Sequence, residues 1–70
     1  MTFNEARQKA KNPEAFAFGD KWMVKNSVTG QPIEGAKTES NAPHAVQNLN
    51  EHEQRNGRTA VFAAEALERI

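Results

Sequence analysis

The chain has 70 residues, with nine Lys plus Arg against nine Asp plus Glu and no cysteine. These numbers imply one small domain without disulfides and without the bulk positive field that draws a protein to nucleic acid or anionic lipid. A domain of this length buries only about 60% of its unfolded surface and its core supplies about 3 to 5 kcal/mol, so self-association is an expected supplement. No apolar run approaches the roughly 18 residues that span a bilayer, and no hydrophobic signal core opens the chain, so a soluble cytoplasmic protein without membrane attachment is expected.

Thr2 and Glu5 stand at capping-box spacing, and Phe3, Ala6 and Ala10 recur on one helical face. They predict a helix from Phe3 to about Lys11, which Asn12-Pro13 stops because the residue before proline is pushed out of the α region. Ala15-Phe16-Ala17-Phe18 then reaches Gly19-Asp20, a dipeptide suited to a type II′ turn, so this run can pair with Lys21 to Asn26 as a first strand. That pairing sets Phe18 opposite Lys21 and Phe16 opposite Met23.

Two alternating runs, Lys21 to Asn26 and Gln31 to Ala36, flank a turn ending in Gly30 and predict a hairpin. Whether the loop holds Thr29-Gly30 or Ser27 to Gly30, an unbroken ladder puts Trp22, Val24 and Ile33 on one face. Met23, Lys25, Glu34 and Ala36 take the other. The Trp22 face is then the main core, with Gly35 on it. With Phe16, Phe18 and Met23 opposite, the sheet is apolar on both sides and needs two covers.

Ser40 or Asn41 as N-cap, Pro43 in the first turn, and the stripe Ala42, Ala45, Val46 and Leu49 predict a helix over about 42–56, closed by Asn56-Gly57. This helix is the first cover. The second is the N-terminal helix or another subunit. Arg58 to Ala64 favours a strand, whereas Ala63 to Ile70 is rich in helix formers, so a strand through about Ala64 with a short helical or frayed end is expected.

Catalytic and metal motifs are lacking. His44 and His52 lie eight residues apart on the predicted helix, about 12 Å along its axis, too far to chelate one ion as an i, i+4 pair does. Ser27 falls in a turn and Ser40 at a helix cap, and the sole aspartate, Asp20, is itself in a turn. No Gly-x-Ser-x-Gly elbow or phosphate-cradling glycine cluster is present. The residues therefore point away from an enzyme and call for no cofactor or metal. Arg7, Lys9 and Lys11 form a basic helical set without interleaved aromatics, and His44, Gln47, Asn48, Glu51 and Arg55 form a polar helix side; both fit solvated faces.

From Trp22 to Phe62 the order is an aromatic-x-Val strand, a Thr-Gly turn, a second strand, a helix with Leu49-Asn50-Glu51-His52, a glycine and a Val-aromatic strand. This order resembles small uncharacterised proteins of bacteria and their phages. The resemblance implies an accessory factor that binds a bacterial protein.

The expected fold is one α+β domain over residues 1–70: a short N-terminal helix and a small antiparallel sheet of a hairpin plus a C-terminal strand, covered by one helix. The expected function is a non-catalytic protein-binding module, a phage-type accessory or inhibitor. A nucleic-acid-binding accessory protein is the alternative, and a structural or assembly subunit the third reading. The expected partner surface has Phe16, Phe18 and Met23 at its centre and Lys21, Lys25 and Glu34 around them. A homodimer is a further expectation.

Overall fold

The computed structural model describes residues 1–69. Helix α1 (Phe3–Lys9) is followed by a short 3-10 turn (Pro13–Ala15), strands β1 (Trp22–Asn26) and β2 (Pro32–Ala36), helix α2 (Asn41–Arg55) and strand β3 (Phe62–Ala66). The strands form one antiparallel sheet in the order β2-β1-β3. The fold is therefore the expected α+β arrangement.

Local chemistry sets the helix ends. At α1 the Glu5 N–H donates to the Thr2 hydroxyl at 3.1 Å, which caps the helix as the spacing predicts, and that hydroxyl in turn donates to the Glu5 carboxylate at 3.0 Å. At α2 neither predicted N-cap side chain caps the helix. Thr38 does so instead, its hydroxyl accepting from the Asn41 N–H at 3.1 Å. The far end of α2 closes as predicted at Gly57, where φ is +72°. There the Gly57 N–H donates to the Gln54 carbonyl and the Arg58 N–H to that of Glu53, a Schellman motif. Arg58 also pairs with the Glu53 side chain. This employment of Arg58 takes it out of the expected strand, which begins at Phe62 where pairing with β1 begins.

The hairpin loop is the four-residue one. Asn26 bonds Gly30 and Gln31 through its backbone, and its side chain accepts from the Val28 and Thr29 N–H groups. Lys25 then stands opposite Pro32, as an unbroken ladder requires. The next pair is Val24 with Glu34, so the ladder is interrupted and Ile33 has no partner across it. One extra residue reverses the facing of everything beyond it. Glu34 and Ala36 consequently share the Trp22 face, and Gly35 joins Met23, which corrects the expected register.

The correction moves the main core. Phe3, Ala6, Ala10, Phe16 and Met23 form the buried cluster, with Met1, Ala15 and Leu67 packed against it. It lies on the Met23 face, under α1 and the 3-10 turn. Trp22 is only half-buried, and the fully buried residues on its side of the sheet, beneath α2, are small: Val24, Ala36 and Ala42. The second cover is thus α1 of the same chain. Residues 15–18 are not a strand, because Phe16 inserts into that cluster while the chain turns away.

Beyond β3 the chain returns to its start. Thr2 and Glu68 form a parallel bridge, with the Phe3 N–H donating to the Glu68 carbonyl and the Glu68 N–H to that of Met1. On the outer edge of β3, the Asn50 side chain bonds both backbone groups of Phe62, at 3.0 and 3.3 Å. These contacts shorten the open edge of the sheet. No helical or frayed end is seen through Arg69; the expected end at Ile70 lies outside the described residues.

Lys25 projects on the Met23 face and binds the Glu65 carboxylate at 2.7 Å, diagonally across β1 and β3. The Lys25 ammonium holds the Glu65 carboxyl below its ordinary value of 4.5. A depressed carboxylate contributes stability that is present above its unfolded value and lost as pH falls through its folded value. Thermal unfolding between pH 5 and pH 3 should therefore drop more steeply in the wild type than in Lys25→Gln. Parallel pH profiles would contradict this coupling.

Candidate functional site

The chain between the 3-10 turn and β1 makes one tight turn over Ala17–Asp20. The Asp20 N–H donates to the Ala17 carbonyl at 3.1 Å, and the Ala17 N–H donates back to the Asp20 carboxylate at 3.2 Å. Gly19, third in the turn with φ +93°, supplies the conformation that a type II turn needs there. The expected type II′ turn has its centre one residue later, which accounts for the different fate of Phe18. A turn pinned at both ends holds Phe18 outward. Phe16 is 2% exposed and Phe18 is 87% exposed.

The Phe18 ring meets Phe3 edge-on, with centroids 6.3 Å apart and planes at 79°. Beside it runs an open groove of about 360 Å³. It is lined by the buried Phe3 and Asp20, the half-buried Leu67 and the exposed Phe18, Lys21, Glu68 and Arg69. The parallel bridge between Thr2 and Glu68 places Leu67 to Arg69 next to the Phe18 turn. Residues from three distant parts of the chain are thereby brought together.

Of the six residues expected to form a partner surface, this groove unites Phe18 and Lys21. Phe16 and Met23 are core, at 2% and 0% exposure, and have no surface to offer. Lys25 is half-buried in its ion pair with Glu65. Glu34 stands opposite Val24, on the other side of the sheet from Met23. The six therefore do not share one exposed face. Sequence reasoning missed Phe3, Leu67, Glu68 and Arg69 as groove residues, since no local signal foretells a parallel bridge between the two ends of the chain.

The other candidates are plainly placed. His44 and His52 are exposed on α2, and Arg7, Lys9 and Lys11 are exposed at α1 and just beyond it. Gln47 donates to Glu51 at 3.1 Å, and Arg55 lies 3.9 Å from Glu51, so part of the polar face of α2 is bonded to itself. Ser27 is in the hairpin loop and bonds the Val61 carbonyl. Among the described residues, no three metal-ligating side chains converge and no helix is long and apolar enough to cross a membrane. Comparison with protein-family models, curated proteins and solved structures brings no match to this chain.

Proposed function

We propose that the protein is a non-catalytic protein-binding module that docks through the groove beside Phe18. The supporting observation is Phe18 itself, a phenyl ring 87% exposed on a turn fixed by two hydrogen bonds. Leaving such a ring in water forgoes about 1.5 to 3 kcal/mol of burial, which a partner's surface would recover. An aromatic centre with Lys21, Arg69 and Glu68 around it has the composition of a protein interface. An accessory or inhibitor role on a bacterial protein in the cytoplasm is part of the same proposal and rests on the order of elements in residues 22–62 alone.

Affinity capture with wild type and Phe18→Ser tests the proposal. The variant should stay folded, losing no more than the edge contact with Phe3, about 1 kcal/mol or roughly 4 to 8 °C in melting temperature. It should bind the captured protein about 30-fold or more weakly, the loss expected of an interface hot spot. Binding should persist from about 0.1 to 0.5 M salt, whereas phosphate contacts would weaken it steeply and favour nucleic acid. Capture unaffected by Phe18→Ser would overturn the assignment of the site.

A further inference from the structure

The groove and Phe18 are neighbours on one surface, so each copy of the chain carries both a projecting ring and a recess for one. We propose that a second copy of this chain occupies the groove, about a twofold axis, with Phe18 of each copy seated in the other's groove. The proposal rests on the reading of this groove as a docking surface, so that self-association and the docking of another protein compete for the same groove.

A twofold contact requires a patch complementary to itself, in which one residue meets a second while the second meets the first. Phe18 supplies the projection, and Phe3 with Leu67 the apolar recess beside it. The charges obey the same condition. Lys21 and Arg69 stand with Glu68 around the groove, and none of the three has an ion-pair partner among the described residues. A twofold rotation lets the cations of one copy meet Glu68 of the other. A rim of one sign would repel its own image; this one does not, and the chain as a whole is neutral.

Among the described residues no other recess has an exposed aromatic ring beside it; the one lined by Asn4, Arg7, Gln8 and Pro13 has none. The Met23 face, one of the two places where a second copy could have packed, is closed by α1, with Met23 fully buried. Val28 is the other large apolar side chain exposed among the described residues, and it sits in the hairpin loop outside this groove. The dimer contact therefore falls on Phe18.

Sedimentation of the full chain from about 1 to 200 µM tests this, since a dimer's population follows concentration. The wild-type mass should rise towards that of two chains, while Phe18→Ser should remain a folded monomer whose melting temperature, unlike the wild type's, does not rise with protein concentration. Lys21→Glu should weaken the dimer about tenfold by opposing Glu68 with a like charge, and the swap Lys21→Glu with Glu68→Lys should restore it. A wild type that stays monomeric throughout, a Phe18→Ser variant that dimerises normally, or a swap that restores nothing would overturn the proposal. A monomer that still captures another protein through Phe18 would refute the second copy while leaving the docking reading intact.

Discussion

Met23→Asp should unfold the protein at neutral pH, even in dilute solution. Met23 is 0% exposed and packs within the cluster of Phe3, Ala6, Ala10 and Phe16. A carboxylate there is buried directly opposite Glu65 on β3, whose charge already engages the Lys25 ammonium, so like-charge repulsion adds to the desolvation cost. The penalty exceeds the roughly 3 to 5 kcal/mol that so small a core supplies. Circular dichroism should show loss of the cooperative transition, whereas Met23→Leu, close in volume, should cost less than about 1.5 kcal/mol. A folded Met23→Asp monomer would mean that this face of the sheet is open to water.

Gly35→Ala should cost about 2 to 5 kcal/mol, combining overpacking with a displaced hydrogen bond to a charged acceptor. A Cβ at this position would lie 2.0 Å from the Asp20 carboxylate oxygen and 3.2 Å from the Ala15 carbonyl. Asp20 cannot yield freely, because it is 7% exposed and accepts from the Ala17 N–H. Moving it loosens the turn that presents Phe18. Denaturant titration of Gly35→Ala, Asp20→Ala and the double variant tests the mechanism: the double variant should be more stable than the sum of the single losses predicts. Strict additivity would show that the methyl group and the carboxylate do not compete for one space.

The sequence made legible those parts of the fold whose causes are local. The Thr2 cap and its bond to Glu5, the extent of α2 and the glycine at its end all follow from hydrogen bonds made within a few residues. The hairpin was legible only as far as Pro32. Beyond it the facing depends on whether one residue is skipped, and Pro-Ile-Glu-Gly-Ala alternates no less plausibly in either register. Only the space needed around Gly35 and Asp20 distinguishes the two, and that space is created by tertiary packing.

The candidate site was half legible for the same reason. Phe18 and Lys21 flank a glycine turn and could be singled out as residues able to meet a partner. Phe16 could not be separated from Phe18, since both precede the Gly19-Asp20 dipeptide in the sequence, whereas the turn forms one residue earlier and takes in Phe18 but not Phe16. The alanines of β3 carry little strand preference of their own, and pairing with β1 selects Phe62–Ala66 rather than an earlier stretch. Glu68 and Arg69 enter the groove through the bridge to Thr2, which joins residues far apart in sequence.

Oxidation of the wild-type chain's two methionines tests the central claim most directly, namely that the Met23 face is closed within one chain and docking is left to Phe18. Met1 is half-buried and Met23 is 0% exposed. With dilute peroxide and protein below about 1 µM, where a dimer would dissociate, Met23 reacts only through opening of the core. Mass spectrometry should find Met1 converted to its sulfoxide at least about a hundredfold faster than Met23. Equal oxidation of the two under these conditions would contradict the account, placing Met23 at the surface.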